Sequence, residues 1–256
     1  SVSEVKAILN GITLASSASR AAQQAPGRGL PALGGPPDLS GGTEGGESSE
    51  PARERSYRFP TFGRPLPGGT PACIAGPEEY VPQSVTSLPT WENRRELAQY
   101  VRDNQVICVK GETGCGKSTC VPFIILRDSP HACIVVTQPR RMAAKSLAQR
   151  VASLVGGEVG GLVGYAVGQD SKYSASTRVL YCTTGWMLSW LAPRVNKAKG
   201  SGLEGEPPPD LGVFPFTHII LDEVHERSVD ADFLSLLLKK SPTSLLPDNT
   251  RFLVMS

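Results

Sequence analysis

The eight residues Gly111–Ser118 read GETGCGKS and match the pattern G-x-x-x-x-G-K-S/T. They follow a short apolar run, 105–110, that predicts a strand buried in the core. They precede a segment, 117–126, that predicts a helix with Pro122 in its first turns. Glycines at this spacing let backbone N–H groups converge on a phosphate, and the N-terminus of the following helix adds positive potential. The motif therefore predicts a strand–loop–helix unit that binds the phosphates of a nucleotide.

The lysine and serine at the end of this loop carry its chemistry. Lys117 is predicted to reach the β- and γ-phosphates, and the Ser118 hydroxyl to hold Mg²⁺. Cys115 stands at a variable position of the pattern and receives no catalytic role. The other interpretation, a glycine-rich turn without a ligand, is disfavoured by the strand before the loop and the helix after it. The predicted nucleotide contacts are Gly111, Glu112, Thr113, Gly114, Cys115, Gly116, Lys117, Ser118 and Thr119.

Apolar runs and helical periodicity alternate along the chain from residue 88 to its end. This alternation predicts an α/β fold with a parallel sheet covered by helices on both faces, and together with the loop motif it predicts the P-loop NTPase class. The predicted helices are 89–104, 117–126, 142–155, 185–191 and 229–240, and the predicted strands are 105–110, 132–137, 162–167, 178–182, 217–222 and 252–255.

A second polar segment follows the apolar run 217–222, about a hundred residues after the loop. Asp222 ends a predicted strand, and a carboxylate facing the loop across the sheet is what a second Mg²⁺-positioning group requires. Glu223 is predicted to polarise the attacking water as general base. His225 is predicted to sense the γ-phosphate or to contact a second domain, although a lone histidine is more often structural. An Asp-Glu pair by itself is weak evidence for a site that hydrolyses a nucleotide. Together with the phosphate-binding loop it is strong evidence for such a site.

Residues 1–80 differ from the rest of the chain. Gly and Pro occupy 23 of these 80 positions, which is typical of low complexity. The segment is therefore predicted to be a disordered extension, because it buries too little apolar surface to fold, and 88–256 to form the nucleotide-binding domain. A mobile surface insertion is predicted at 194–215. Helical spacing within the extension predicts a frayed helix or a partner-docking helix from Val2, Val5, Ile8, Leu9 and Ile12.

Composition sets limits on the class of protein. The net charge of +2 gives no global basic field, so any contacts with nucleic acid must be local. No apolar run is long enough to span a membrane, and the start of the chain lacks the order of a signal peptide. Without an initiator Met, and with an apolar run at its end, the sequence is interpreted as part of a longer protein. The six cysteines are predicted to be reduced core residues of an intracellular protein: Cys73, Cys108, Cys115, Cys120, Cys133 and Cys182.

Four segments in this order resemble the first RecA-like domain of the DEAH-box (superfamily 2) RNA helicases. They are GETGCGKST at 111–119, TQPRRMAA at 137–144, TTG at 183–185 and DEVH at 222–225. The resemblance implies an RNA helicase that uses ATP or another NTP with Mg²⁺. It implies RNA contacts, and an arginine that stacks on adenine at Arg150. The RNA contacts implied are Arg140, Arg141, Thr183 and Thr184.

The resemblance also implies partners: single-stranded or structured RNA, a second RecA-like domain, accessory domains and protein cofactors, in the nucleus or the cytoplasm. Because arginine fingers from the second domain contribute about 10³–10⁵ in rate, this chain by itself is expected to bind nucleotide weakly and hydrolyse it very slowly. Two positions depart from the family pattern. Val224 replaces the usual alanine, and Gly168 stands where many members carry arginine, which removes one expected contact.

Two other functions are compatible with parts of the sequence. A nucleotide-gated RNA clamp or scaffold without turnover would need the same loop, but intact Lys117 and Glu223 argue against it. A DNA helicase or a transport ATPase would also carry the loop, and the segments at 137–141 and 183–185 disfavour it.

Overall fold

The computed structural model describes residues 6–9, 12–16, 70–198, 215–226, 228–240, 247 and 249–256. All of them belong to one unit of the chain, formed by residues 1–17 and 59–256. The elements in chain order are β1 (Lys6–Leu9), β2 (Ile12–Ser16), α1 (Ala72–Ala75), α2 (Gln83–Thr86), α3 (Pro89–Glu92), α4 (Arg94–Asp103), β3 (Val106–Gly111), α5 (Lys117–Asp128), β4 (Ile134–Gln138), α6 (Arg141–Leu154), β5 (Val163–Val167), β6 (Asp170–Lys172), β7 (Val179–Thr183), α7 (Thr184–Ala198), β8 (His218–Leu221), α8 (Val229–Lys240) and β9 (Arg251–Met255). Short 3-10 helices lie at Glu78–Tyr80 and Val224–Glu226.

One sheet joins the described strands in the order β1-β2-β3-β9-β8-β4-β7-β5-β6. The six strands from β3 to β5 in this order pair in parallel. Antiparallel pairs extend the sheet at both ends, with β2 beside β3 and β6 beside β5. Because parallel strands point the same way, their carboxyl ends share one edge, and ligands of open α/β sheets bind outside that edge. The predicted fold class, a parallel sheet with helices, is confirmed for the six central strands, and the sheet as a whole is mixed because of the antiparallel pairs at its ends.

The central strands separate two apolar cores. Every residue of β4 and β8 is buried, and alternate side chains point to opposite faces. Val136 packs with α4, α5 and α6 on one face, and its neighbour Val135 packs with α7 and α8 on the other. The second core is aromatic, since Trp190 contacts Phe216 at 5.2 Å between ring centroids. Helices therefore cover both faces of the central sheet, as the continuous apolar runs predicted.

Strand β3 is an exception to the predicted burial. Ile107 and Val109 are buried, whereas Cys108 between them is exposed. The reason is that the second core, which α7 and α8 form with the sheet, includes no residue of β3 among those described, so that face of β3 is left open. The prediction that the cysteines are core residues is thus right for the four buried ones and wrong for Cys108; Cys73 is half-buried.

The amino-terminal part differs most from the predictions. The helical spacing from Val2 to Ile12 predicted a helix, but β1 and β2 form an antiparallel pair whose second strand joins β3. β-Branched residues such as Ile12 and Thr13 favour strand structure, and pairing with β3 satisfies the backbone groups of β2. Helix α1 lies within the range predicted to be an extension, and its Ile74 is buried in the core. Residues 17–69 lie outside the described part of the chain.

Two helices also differ in extent from their predictions. The helix predicted over 89–104 is divided at Asn93 into α3 and α4. Helix α7 was predicted to end at residue 191, before Pro193, yet it continues to Ala198 and takes up the first residues of the predicted insertion. Proline disfavours a helix interior without forbidding it. Residues 199–214 are not among those described.

Candidate nucleotide-binding site

The loop from Gly111 to Lys117 turns through two glycines in the left-handed region. The φ angles are +87° at Gly114 and +94° at Gly116, a range that side chains with a Cβ disfavour. Gly116 is the residue before the first turn of α5, and its carbonyl accepts hydrogen bonds from the N–H groups of Thr119 and Cys120. A Cβ at Gly116 would lie 2.9 Å from Leu88 Cδ1, whereas a Cβ at Gly114 would meet nothing within 4 Å. The two glycines are required for different reasons.

Gly116→Ala is therefore expected to destabilise the fold more than Gly114→Ala. Both substitutions carry the cost of the left-handed backbone, about 1–2 kcal/mol, and overpacking against Leu88 adds about 1–3 kcal/mol at Gly116. Urea unfolding of the two variants measures the difference. Gly157→Ala is the control, because a Cβ there would meet only the carbonyl oxygen of Ala152, at 4.0 Å, and the residue has no positive φ. Equal losses at Gly114 and Gly116 would contradict the packing part of this explanation.

Lys117 is 8% exposed, and its ammonium lies inside the curve of the loop. Nζ donates to the carbonyl oxygens of Gly111 at 2.6 Å and Glu112 at 3.0 Å. An ammonium has three N–H donors, and the nearest further acceptor is the weakly accepting Cys115 Sγ at 3.9 Å. One donor is thus free for a better acceptor, such as a phosphate oxygen.

Thr90 supports the loop from behind and was not predicted from the sequence. It is 1% exposed, and both its N–H and its Oγ1 donate to the carbonyl oxygen of Cys115, at 3.1 and 2.7 Å. Twenty-five residues separate the two in sequence. A threonine within a predicted helix gave no signal, because the contact exists only after α3 has packed against α5.

Asp222 lies directly after β8 and is 5% exposed. Its Oδ2 accepts a hydrogen bond from Gln138 Nε2 at 2.5 Å, and its Oδ1 accepts one from the N–H of Glu223 at 2.9 Å. Glu223 has φ of +54°, the one non-glycine residue with positive φ among those described. Backbone of this kind is uncommon away from functional sites. Two hydrogen bonds thus hold the Asp222 carboxylate, and an unusual backbone directs the residue that follows it.

Ser256 connects the loop with the acidic segment. Its carbonyl oxygen accepts from the N–H of Gly111 at 3.1 Å, and its hydroxyl lies 3.3 Å from Nδ1 of His225. The same ring nitrogen of His225 is 3.3 Å from Glu223 Oε2. Since β9 lies between β3 and β8, and neighbouring strands are about 4.8 Å apart, the ends of β3 and β8 are about 10 Å apart. The loop and the acidic segment therefore share one edge of the sheet.

Tyr181 on β7 is a second residue that sequence reasoning missed. It is fully buried, and its hydroxyl donates to the carbonyl oxygen of Ser118 at 2.7 Å. Burial raises the pKa of Tyr181 well above its usual value, and the negative charge of Asp222 adds to the rise. The phenol therefore keeps its proton and remains a donor at neutral pH. It fixes the first turn of α5 against the centre of the sheet.

The residues assigned to RNA lie at the ends of two adjacent strands, since Gln138 on β4 pairs with Thr183 on β7. Thr183 Oγ1 accepts from the N–H of Trp186 at 3.3 Å, and Thr184 Oγ1 donates to the carbonyl oxygen of Gln138 at 3.5 Å. The exposed Arg140 forms an ion pair with Glu226 at 3.0 Å. The structure thus places this group beside the acidic segment.

Arg141 and Arg150 both lie on α6. Arg141 Nη2 donates to the carbonyl oxygen of Val167 at 3.4 Å, and a Cβ at Gly168 would stand 3.8 Å from its guanidinium. The guanidinium of Arg141 thus lies next to Gly168, the position at which many members of the family carry arginine. Arg150 is exposed. Burial raises the pKa of the Cys120 thiol on α5 to about 12, and the charge of Arg150 opposes that rise. Helix α6, which carries Arg150, packs against α5.

The contact between Gln138 and Asp222 predicts a stability effect. Gln138→Met keeps the length of the side chain but leaves the buried Asp222 Oδ2 without its donor. Loss of a hydrogen bond to a charged group costs about 1.5–3 kcal/mol, and this fall in the free energy of unfolding is expected in chemical denaturation. Gln149→Met, the same change at an exposed position of α6, is expected to stay within about 0.5 kcal/mol. Equal effects of the two substitutions would contradict the role given to Gln138.

The fold and the site define a P-loop NTPase domain of the RecA-like type. A model of the DEAD/DEAH box helicase family matches residues 92–256, and the chain belongs to that family. The human putative ATP-dependent RNA helicase DHX57 is 43% identical over 163 residues, which are 61% of this chain and 11% of DHX57. The probable ATP-dependent RNA helicase spindle-E of Drosophila pseudoobscura pseudoobscura is 41% identical over 171 residues, 64% of this chain and 10% of the relative.

The mosquito Anopheles gambiae has a similar spindle-E, 39% identical over 173 residues, which are 66% of this chain and 11% of the relative. The chain thus spans about a tenth of the length of these curated relatives. None of the described helices is both long and apolar enough to cross a membrane.

Proposed function

We propose that this chain is the ATP-binding half of an ATP-dependent RNA helicase, which couples NTP hydrolysis to movement on RNA or to its remodelling. The observation that supports this most is the shared edge of the sheet. There, Ser256 contacts both the N–H of Gly111 and the ring of His225. A phosphate-binding loop and a carboxylate pair at the same edge are the two parts that hydrolysis of a nucleoside triphosphate requires.

The same residues are suited to ATP and Mg²⁺. Within the described ranges, no three His, Cys, Asp or Glu side chains come together to hold a metal ion. Mg²⁺ does not need three such side chains, because it keeps several waters and takes one or two protein ligands together with phosphate oxygens. Ser118 and Asp222 would hold it, and Lys117 would bind the outer phosphates. Bound Mg²⁺ would neutralise charge on the phosphates.

Glu223 is the proposed general base. Its carboxylate lies beside His225 and directly follows the fixed Asp222. In this position it orients a water and accepts its proton. His225 touches both Glu223 and Ser256, the residue directly after β9, and in this proposal it relays the state of this site to that strand.

RNA is proposed to bind at Arg140, Arg141, Thr183 and Thr184. Arginine and hydroxyl groups that contact the sugar-phosphate backbone do not read sequence, which suits a motor that steps along any strand. Arg140 is paired with Glu226, three residues after the proposed base. An RNA phosphate that binds Arg140 would break its ion pair with Glu226. RNA binding would therefore change the contacts of the segment that carries Glu223.

The remaining parts of the motor are proposed to lie outside this chain. They are a second RecA-like domain that supplies arginine fingers, accessory domains that grip RNA, and protein cofactors. The protein is proposed to work inside the cell, in the nucleus or the cytoplasm. This chain by itself is proposed to bind nucleotide weakly and to hydrolyse it very slowly.

Strand separation by the full-length protein tests this function. We expect ATP-dependent unwinding of an RNA duplex with a single-stranded tail, and little unwinding when the tail is DNA. Arg140→Ala is expected to weaken RNA binding, while Lys172→Ala, which removes an exposed charge on β6, is not. RNA binding gated by ATP without turnover would instead support a clamp, and equal activity on DNA tails would contradict the assignment to RNA.

A further inference from the structure

A cavity of about 420 Å³ lies between α4 and α5, and none of its lining residues belongs to the phosphate-binding loop or to the acidic segment. Trp91, Ala98 and Ile124 are buried and contribute its apolar part. A volume of this size falls in the range of ligand-binding clefts. The cavity is therefore large enough for side chains of a binding partner.

Four guanidinium groups and two carboxylates line this arginine cavity, which leaves it with a charge of +2. The contact between Glu78, one of these carboxylates, and Arg94 indicates which chemical groups the cavity can bind. Arg94 Nε and Nη2 donate to Glu78 Oε1 at 3.1 Å and Oε2 at 2.5 Å. This is the two-bond geometry by which arginine recognises carboxylates and phosphates. The hydrogen bond from Arg94 also lowers the pKa of Glu78.

Two of the arginines have no carboxylate partner among the described residues. Arg127 gives its N–H groups to neutral acceptors, the carbonyl oxygens of Cys73 at 2.7 Å and Gly76 at 2.9 Å. The side chain of Arg95 is exposed and makes neither an ion pair nor a hydrogen bond within the described part of the chain. The remaining arginine, Arg102, is paired with Asp128. Unpaired positive charge beside an apolar floor is complementary to an acidic group attached to an apolar body.

A peptide suits this cavity better than a strand of RNA. The Trp91 ring is 5% exposed and already contacts Arg94 at 5.1 Å, Arg127 at 6.0 Å and Phe123 at 5.8 Å, so it offers no free face to a base. Arg127 also lies near the end of α5 opposite to the loop. A 12-residue helix is about 18 Å long, which separates Arg127 from the edge where RNA is proposed to bind.

We propose that the arginine cavity is a docking site for an acidic peptide segment of a protein partner. Its carboxylate or phosphate groups bind Arg95 and Arg127, and an apolar side chain reaches the floor formed by Ala98 and Ile124. Glu78 occupies Arg94 from within the chain, and it competes with the segment.

Fluorescence anisotropy with the full-length protein and saturating ADP tests this site. The probes are a labelled peptide of alternating glutamate and leucine, its phosphoserine counterpart, and a lysine version as a negative control. We expect both acidic peptides to bind. Arg95→Gln is expected to weaken binding about tenfold, whereas Glu78→Gln, which frees Arg94, tightens it. Lys239→Gln removes a charge from the exposed surface of α8 and leaves binding unchanged.

Two outcomes would overturn the proposal. The first is no binding, or equal weakening by Arg95→Gln and Lys239→Gln, which would indicate attraction to charge in general. The second is displacement of the peptide by single-stranded RNA together with weaker RNA binding by Arg95→Gln, which would make the cavity a nucleic-acid site. Since the readout is peptide binding, failure here is distinguishable from failure of the helicase assignment, and Arg95→Gln is expected to keep normal ATP turnover.

Discussion

Replacing Glu223 with glutamine is expected to leave ATP bound and to lower its turnover by about 10²–10⁴, the contribution of a general base. Glutamine keeps the size of the side chain and its ability to face His225, but it cannot accept a proton from water. Asp222 and Lys117 are unchanged, so binding of a labelled ATP analogue is expected to stay within a few-fold of the parent. Steady-state phosphate release and equilibrium binding measure the two quantities separately.

Glu158→Gln provides the matched control, because Glu158 is exposed beyond the end of α6 and takes no part in the site. Its turnover is expected to equal that of the parent protein. If Glu223→Gln turned over ATP at the parental rate, Glu223 would not be the base, and its positive φ of 54° would need another explanation. If the variant lost ATP binding as well, Glu223 would serve to form the binding site.

Lys117→Met is expected to weaken ATP binding by about 10- to 100-fold, since a hydrogen bond to a charged group contributes about 1.5–3 kcal/mol. Methionine fills the buried space of the lysine stem but gives no donor to a phosphate. Isothermal titration calorimetry measures the affinity, with Lys239→Met on the exposed surface of α8 as control. Because the substitution also removes the hydrogen bonds to the carbonyls of Gly111 and Glu112, thermal unfolding of the variant must show that it folds. A folded variant with parental affinity would contradict the role of Lys117.

Much of the fold followed from local sequence. Each of the six parallel strands was predicted to within about two residues, because a strand covered on both faces is a short, continuous apolar run. Asp222 and the loop were found because their residue types are set by ligand chemistry, which leaves a pattern in the sequence. Their place at one edge follows from the parallel direction of the strands.

The supporting contacts were not predictable in this way. Gln138 and Asp222 are 84 residues apart, and Tyr181 and Ser118 are 63 apart. The sequence pattern around a buried glutamine or tyrosine does not indicate which distant residue it will contact. These pairs come together only when the sheet is packed. The amino-terminal pair of strands was missed for a related reason. A few apolar residues satisfy both helical and strand periods, and pairing with β3 decides between them.

ATP turnover by the full-length protein, measured as single-stranded RNA is added, tests the central claim most directly. The account predicts strong stimulation by RNA, lost in Glu223→Gln and shifted to higher RNA concentration in Arg140→Ala. Turnover that is indifferent to RNA, or unchanged in Glu223→Gln, would contradict the claim that this chain is the ATP-binding half of an RNA-driven motor.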